Sequence, residues 1–344
     1  MKKLKIITTK HKATDTRIVE KQLFTLESLF NIDFQHSDSS NRSMYTYTKN
    51  SKFGLIKSLL DQSYQIIIVH DLDSIIISSL FCSILNRKQK KVIADIHEDY
   101  PLQIKNKKYI FRPFRIVLSH IMRLIFPTIL SQFNGVIYAT DSIYSKYNKR
   151  VKTKQCFIRN YPKFELLKTN SKKEYDIGYV GSITEERGAL RILEIIKLGY
   201  KVLLIGPLND NLSRKCFGSD QISNMSNLTY MGELPYRKAM AEIAKVKIGL
   251  LPLLETKSYA VSLPVKLFEY LCLDIYVIAS NFEYWQKEFG HFSQIHFLDF
   301  DNLQITNNKI KSILNDSSPT LKENINQFSW ESEEQKLIDF VSNI

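Results

Sequence analysis

The sequence predicts an α/β protein made of two doubly wound domains, each a parallel sheet covered by helices. Short β-rich runs alternate with helical patterns along the chain, as in parallel α/β folds. The runs are apolar throughout, which is typical of strands buried on both faces. The length of 344 residues exceeds the roughly 250–300 that one hydrophobic core sustains, so two domains are expected.

Nine runs predict strands, four in the first half and five in the second. They are 4–9, 65–70, 91–96, 135–140, 176–181, 201–206, 227–232, 247–253 and 275–280. Helical patterns cover 18–30, 74–85 and 189–198, and a polar, Lys-rich stretch at 159–176 separates the two series. We expect domains at 1–163 and 173–326. Right-handed crossovers place the loops after parallel strands along one edge, where ligands bind.

The net charge of +13 is concentrated in the first half of the chain. Residues 1–165 contain 28 Lys or Arg against 13 Asp or Glu, a net of +15, whereas 166–344 contain 20 against 22, a net of −2. The first half therefore suits an anionic partner: nucleic acid, acidic phospholipid or a phosphorylated substrate. No nucleic-acid recognition motif accompanies the charge, so we expect no nucleic-acid binding.

The cysteines and the N-terminus indicate a cytoplasmic protein. The four cysteines lie far apart without metal-binding spacing, as expected of a reduced compartment. The basic start MKKLKIITTKHK is not followed by an apolar stretch, so it does not resemble a secretory signal. Polar residues and Pro127 interrupt the longest apolar stretch, 116–133, and no membrane span is expected.

Segment 105–133 combines basic and apolar residues in the manner of an interfacial helix on anionic lipid. An ordinary domain helix with a solvated basic end is the alternative. We expect the protein to lie peripherally on the inner face of a membrane. The basic residues that flank the apolar stretch are Lys105, Lys107, Lys108, Arg112, Arg115 and Arg123.

The stretch SLPVKLFEYL, residues 262–271, predicts a helix beginning near Pro264, since proline suits a first helical position. Lys266 and Glu269 interrupt its apolar pattern. Burying a carboxylate costs several kcal/mol unless it is paired or hydrogen-bonded. The two residues either form an i,i+3 ion pair or line a site for a polar, anionic ligand.

A second motif, YVGSITEERG at 179–188, follows a predicted strand and precedes a predicted helix. A glycine at a strand end lets the backbone approach a ligand, and a helix N-terminus offers free N–H groups to an anion. Arg187 adds two parallel donors that suit phosphate, although a plain turn with a surface arginine remains the alternative. Dinucleotide and P-loop motifs are absent from the sequence, and no cofactor is expected.

Together with VLLIGP, NLTYMGELPYRKAMAEI and IGLLPL, these motifs resemble the donor domain of family-4 retaining glycosyltransferases. The likeness covers about 180–285 most strongly; matches at 14–18, 69–74, 92–101 and 156–162 are looser. It implies the GT-B fold, two Rossmann-like domains facing across a cleft. The first domain is then the acceptor side, the second the nucleotide-sugar donor domain, with a terminal helix at 327–344 returning to the first.

The resemblance also assigns roles. Arg187 and Lys266 would hold the donor diphosphate, and Glu269 would accept hydrogen bonds from the ribose. His97 would lie beside the transferred sugar, although a strand-end histidine that caps local backbone is the alternative. Glu98 would face the acceptor, and the remaining donor contacts would come from Gly181, Ser182, Gly206, Leu234 and Ser262.

The implied activity is retaining, metal-independent transfer from a UDP- or GDP-type sugar to a lipid-linked or surface-polysaccharide acceptor. A nucleotide-sugar 2-epimerase and a non-catalytic binding protein are the alternatives. Asp71 and Asp73 form a DxD that could bind metal, but we expect Asp71 to end a strand and Asp73 to cap a helix from Ser74. Val261 stands where the family has a glutamate, which leaves the sugar unassigned.

Overall fold

The computed structural model describes residues 1–11, 15–36, 52–107, 110–167, 171–256, 259–316 and 324–344. The chain divides into two compact units, the first formed by Met1–Asn160 with Trp330–Ile344 and the second by Tyr161–Ser329. Each contains a six-stranded sheet in which every pairing is parallel. The predicted α/β class with doubly wound parallel sheets is confirmed.

The first unit has the strand order β2-β1-β3-β4-β5-β6. The order reverses between β1 and β3, and the loops that follow these strands diverge at this switch point. Its strands are β1 Lys2–Ile7, β2 Phe30–Gln35, β3 Ile66–Val69, β4 Lys91–Ile96, β5 Gly135–Tyr138 and β6 Lys154–Phe157. Its helices are a π-helix Thr16–Leu23, α1 Phe24–Leu26, α2 Lys52–Leu60, α3 Leu72–Arg87, α4 Tyr100–Asn106, α5 Arg112–Leu130, α6 Asp141–Tyr147 and, at the end of the chain, α14 Glu331–Ser342.

The second unit has the order β12-β11-β10-β7-β8-β9, and its switch point lies between β7 and β10. The strands are β7 Tyr175–Val180, β8 Val202–Ile205, β9 Leu228–Tyr230, β10 Val246–Leu251, β11 Tyr276–Ser280 and β12 Ile295–Leu298. The helices are α7 Ala189–Lys197, α8 Asn211–Phe217, α9 Ser219–Ile222, α10 Tyr236–Ile243, α11 Val265–Cys272, α12 Glu283–Phe289 and α13 Leu303–Leu314, with 3-10 turns at Phe164–Leu166 and Asn326–Phe328.

Helix α14 belongs to the first unit because its apolar face completes a core there. Leu337 and Val341 are fully buried in the cluster that also contains Leu4, Ile6 and Phe34 of the sheet. The indole of Trp330 is buried just before the helix and donates from Nε1 to Thr25 Oγ1 at 2.9 Å. The last residues of the chain therefore stabilise its first strands.

Two sequence predictions about helix boundaries are wrong. The helix predicted at 18–30 ends at Leu26, and Phe30 instead opens strand β2. Helix α3 begins at Leu72, so Asp73 lies in its first turn and does not cap it. Asp71 precedes the helix, but its side chain makes no capping bond and binds the loop after β1 instead.

Helix α5 is a candidate membrane span by length and composition, although no span was predicted from the sequence. Its 19 residues, Arg112–Leu130, are long and apolar enough to cross a membrane. Core helices of soluble proteins and signal sequences meet the same criterion, so length and composition alone are weak evidence.

Candidate functional site

The motifs of the second half meet at the switch point of the second sheet. Gly181 follows β7 and Gly206 follows the neighbouring β8, with backbone φ angles of +132° and +138° that side chains rarely adopt. A Cβ at Gly206 would lie 1.9 Å from the carbonyl oxygen of Gly181. The two strand ends can approach this closely only because residue 206 is glycine.

Loops from β7 and β10 close the site. Leu254 N donates to Glu186 O at 2.9 Å, joining the two loops across the switch point. A Cβ at Gly188, where φ is +84°, would lie 2.2 Å from Pro252 O. The second glycine of YVGSITEERG thus allows the loop before α7 to lie against the loop after β10.

Two cations converge beneath Gly181. A Cβ placed there would lie 2.6 Å from Lys266 Cε, 3.0 Å from its Nζ and 3.7 Å from Arg187 Nη1. Among the described residues neither cation forms an ion pair with a carboxylate; Arg187 Nε instead donates to the Tyr259 hydroxyl at 3.4 Å. Burial lowers the pKa of Lys266, Glu269 opposes that shift, and Arg187 adds to it. Two close, partly desolvated positive charges favour an anion.

These cations line a pocket of about 200 Å³. Its wall combines the loop after β7, the loop after β10 and the first turn of α11, so it belongs entirely to the second unit. Aromatic and aliphatic side chains surround the charges. The lining residues are Tyr179, Arg187, Leu251, Leu253, Tyr259, Ser262, Leu263, Pro264, Val265, Lys266 and Trp285.

Glu269 does not pair with Lys266, so the ion-pair interpretation of the helix motif is not supported. Its side chain is buried, and Oε1 accepts a hydrogen bond from the Tyr236 hydroxyl at 2.9 Å. Tyr270, the next residue on α11, receives a bond from Val180 N at 3.3 Å and packs on Gly249, where a Cβ would lie 2.6 Å from its ring. These contacts fix α11 against the strands that carry the pocket.

The remaining predicted donor-side residues occupy the same edge of the sheet. Ser182 accepts from Asn209 Nδ2 at 2.7 Å, and Leu234 packs against the main core of the unit. Ser262 lines the pocket, but its backbone N–H already donates to Tyr259 O at 3.1 Å. The backbone amide of Ser262 is therefore already hydrogen-bonded within the loop.

The aromatic part of the site could not be predicted from the sequence. Tyr179, Tyr259 and Trp285 line the pocket, and Tyr236 holds Glu269. Trp285 Nε1 donates to Ser262 O at 2.8 Å, which orders the loop before α11. Their distribution over a strand, a loop and two helices carries no local spacing that sequence could have revealed.

His97 and Glu98 lie in the first unit, directly after β4. Glu98 is exposed and accepts from Gln103 Nε2. His97 Nε2 lies 3.0 Å from His11 Nε2, and its Nδ1 is buried without a hydrogen-bond partner in the described part of the chain. Burial lowers the pKa of His97 to about 4, so its ring is neutral near pH 7. Its Nε2 can therefore accept a hydrogen bond from His11.

His11 is held as a cation by two carboxylates. Its Nδ1 lies 2.7 Å from Asp15 Oδ2 and its Nε2 lies 3.1 Å from Asp71 Oδ1. Burial lowers its pKa, but the bonds to Asp15 and Asp71 outweigh burial and raise it to about 10. The loop after β1 thus places a fixed imidazolium at the switch point of the first sheet.

The DxD residues organise this loop. Asp71 Oδ2 accepts from Thr8 Oγ1 at 2.6 Å and from Thr9 N at 2.7 Å, and Asp73 pairs with Lys10 at 3.5 Å. Both carboxylates are thus engaged by the chain itself.

One cluster in the described residues has the composition of a metal site: His70, Asp95 and His97, with ligand atoms within 4.8 Å of one another. Asp95 is already bound by Arg17, from Nη2 at 2.8 Å and Nε at 3.1 Å, and by Gln22 at 2.6 Å. A divalent ion would lie against a fixed guanidinium. The donor set therefore does not fit a resident metal.

Comparison with solved structures identifies the fold. Alr3699/HepE from Anabaena, in complex with UDP and glucose, has a TM-score of 0.71 at 10% identity, covering 100% of both chains. The α,α-trehalose 6-phosphate synthase from Burkholderia multivorans has a TM-score of 0.63 at 10% identity, covering 100% of this chain and 99% of that one. The UDP-GlcNAc 2-epimerase from Methanocaldococcus jannaschii has a TM-score of 0.60 at 12% identity, covering 99% of this chain and 100% of that one. The chain has the GT-B fold. No family model and no curated protein matches it.

Within the GT-B fold, the predicted residues fall into two groups. Those expected to bind the donor belong to the second domain, after the carboxyl ends of β7, β8 and β9 and on α11 and its preceding loop. His97 and Glu98 belong to the first domain. Val261 is exposed and does not line the pocket.

Proposed function

We propose that this protein is a retaining glycosyltransferase that uses a nucleotide-diphosphate sugar of the UDP or GDP type. The observation that carries the proposal is the approach of Arg187 and Lys266 to the Gly181 backbone without a carboxylate partner among the described residues. Uncompensated cations in a partly buried pocket are costly, and a bound diphosphate would offset that cost. A solved structure of the same fold that holds UDP and glucose supports the same ligand class.

The donor would lie with its diphosphate at the two cations and its ribose at Glu269. As the glycosidic bond breaks, negative charge grows on the departing phosphate. Arg187 and Lys266 would stabilise that charge in place of a metal ion. The same phosphate can accept the acceptor's proton, so the reaction does not require a strong base in the first unit. His97, neutral and held by His11, would position the sugar.

The acceptor we propose is a lipid-linked or surface-polysaccharide intermediate, and the protein would act in the cytoplasm at the inner face of a membrane. The exposed Glu98 stands beside His97 in sequence and would face this acceptor. The basic first half of the chain, with a net charge of +15 over residues 1–165, favours an anionic acceptor carrier.

A nucleotide-sugar 2-epimerase is the second candidate, because UDP-GlcNAc 2-epimerases share the fold at TM-scores of 0.60 and 0.57. Such an enzyme would use the same diphosphate pocket but would need no acceptor. A protein that binds nucleotide without reaction is a third outcome of the same experiment.

Incubation with a panel of UDP- and GDP-sugars, with and without a lipid-extract acceptor, separates these functions. We expect acceptor-dependent transfer with the anomeric configuration retained, unaffected by EDTA, and lost in Lys266→Ala. Interconversion of the sugar without an acceptor would establish the epimerase. Failure of every UDP and GDP compound to raise the Tm of the protein would exclude both enzymes, since a bound ligand must stabilise the folded state.

A further inference from the structure

Helix α5 exposes a continuous apolar face to solvent. Phe111 and Phe114 are each 70% exposed, with rings 6.1 Å apart, and Leu124 is 68% exposed. From Phe114 onward the exposed residues recur at helical spacing and form one stripe. Single apolar side chains on a surface are ordinary, whereas a contiguous group marks an interaction site. This α5 face comprises Phe111, Phe114, Val117, Leu118, Ile121, Leu124 and Ile125.

The opposite side of α5 is anchored in the first unit. Met122, Phe126 and Leu130 are buried in its core. The ring of Phe126 meets those of Tyr100 and Tyr147 edge-on at 5.6 and 5.5 Å. Crossing a membrane would require all of these contacts to break, although the helix has sufficient length. The structure therefore favours a helix that lies on a membrane over one that spans it.

The charges in the chain segment that contains α5 have a single sign. Residues 100–140 contain six Lys or Arg and no Asp or Glu. Lys105, Arg112 and Arg123 are exposed. Arg150 adds a further cation, since its guanidinium donates to the backbone carbonyl oxygens of Arg123 and Leu124 at 3.2 and 3.1 Å. Of the basic residues identified in the sequence, Lys108 lies outside the described residues.

The charge decides between possible occupants of the α5 face. A second copy docked through the same face would bring its own positive charges against these, at an electrostatic cost. An anionic bilayer offers apolar tails to the stripe and negative headgroups to the flanking cations. We propose that the α5 face inserts into the headgroup–acyl boundary of an anionic membrane. The proposal does not depend on the donor site, which belongs to the second unit.

The test uses the full chain with vesicles of phosphatidylcholine, alone or mixed with phosphatidylglycerol. We expect co-sedimentation with the mixed vesicles, weakened by salt because exposed charges are screened over about 10 Å at 0.1 M. The double variant Phe114→Ser, Leu124→Ser should bind about tenfold or more weakly. The matched control is Phe53→Ser on α2, which removes an apolar residue that is 84% exposed but lies outside the α5 face.

A second readout reports insertion directly. Tryptophan at the C-terminal end of the stripe, in Leu124→Trp, should shift its emission to the blue on anionic vesicles and remain unshifted on neutral ones. Equal vesicle binding by the parent and the double variant, at equal Tm, would overturn the proposal. The proposal would also be overturned if the parent is a dimer that does not bind vesicles and the double variant is a monomer. The α5 face would then be covered by a second copy of the chain. The change in Tm that UDP produces should be the same in the parent and in all these variants. Failure of the membrane proposal is thereby distinguished from failure of the donor site.

Discussion

Tyr236 donates a hydrogen bond from its hydroxyl to Glu269 Oε1 at 2.9 Å, while Lys266, one turn earlier on α11, turns to the Gly181 backbone. The carboxylate and the ammonium thus serve different parts of the site although they are three residues apart. The Tyr236 hydroxyl bonds Oε1, and we expect Oε2 of Glu269 to accept hydrogen bonds from the hydroxyls of a ribose. Its carboxylate is buried, so it is oriented before any ligand arrives.

Removal of this carboxylate should weaken nucleotide binding. We expect Glu269→Ala to reduce the binding free energy of the cognate nucleoside diphosphate by about 1.5–3 kcal/mol, the range for hydrogen bonds to a charged group. Tyr236→Phe should cost less, about 0.5–1.5 kcal/mol, because it loosens the carboxylate without removing it. Calorimetric titration measures both. The control is Glu283→Ala, which removes an exposed carboxylate of α12 and should bind the nucleotide as the parent does. An equal loss of binding free energy in this control would contradict the assignment.

The two cations should affect turnover more than affinity. Arg187 and Lys266 face charge that grows as the donor bond breaks, so their removal costs more in the transition state than in the ground state. We expect Arg187→Ala and Lys266→Ala each to lower kcat by about a hundredfold or more, with a smaller change in KM. Steady-state kinetics of transfer give both constants. Lys197→Ala removes an exposed lysine of α7 as a control, and unchanged kcat in the two pocket variants would refute the role.

Sequence predicted the central strands and missed only edge strands. All nine predicted runs are strands in the structure, whereas β2, β6 and β12 were not expected. Each of the three lies at the edge of its sheet, where fewer residues are buried. An edge strand such as FNIDFQ at Phe30–Gln35 therefore lacks the continuous apolar run by which a central strand is recognised.

Only part of the candidate site was predicted, because sequence patterns report local structure and not contacts between distant positions. Arg187, Lys266 and Glu269 stand within short motifs whose spacing places them near strand and helix ends. Tyr236, by contrast, reaches Glu269 from 33 positions away. The pairing of His11 with His97 spans 86 positions. Such contacts depend on strand order, which local patterns do not encode.

The contact between Gly206 and Gly181 predicts a site-specific loss of stability. Gly206→Ala places a methyl group against the Gly181 carbonyl at 1.9 Å and also strains a backbone with φ of +138°. We expect a loss of about 3 kcal/mol or more in unfolding free energy, together with weaker nucleotide binding. Gly199→Ala is a matched control, because its φ is +89° but nothing lies within 4 Å. It should show only the conformational cost of about 1–2 kcal/mol. Denaturant unfolding measures both variants. Equal losses of unfolding free energy in Gly206→Ala and Gly199→Ala would show that the close approach does not contribute to stability.

The histidine cluster of the first unit predicts how stability depends on pH. Asp15 and Asp71 raise the pKa of His11 to about 10 in the folded protein, against 6.5 for an unperturbed side chain. A raised pKa means that the folded state holds the proton more tightly. The resulting stabilisation is fully present below about pH 6.5 and is lost as pH rises through about 10. Asp15 behaves oppositely: burial raises its pKa, but His11 lowers it to about 2, so its stabilisation is lost only as pH falls from about 3.8 through that value.

The difference between parent and variant isolates this contribution from other groups that titrate in the same range. Arg17 and Asp95 are present in both proteins and largely cancel in the comparison, whereas Asp15, Asp71 and His97 contact His11 directly and belong to the difference. We expect the Tm of the parent to exceed that of His11→Gln most clearly at pH 6, and the excess to shrink steadily towards pH 10. Thermal unfolding across this range measures it, with His120→Gln on the exposed side of α5 as the control. A difference that stays constant from pH 6 to pH 10 would mean that His11 stabilises the loop after β1 by packing and not by its charge.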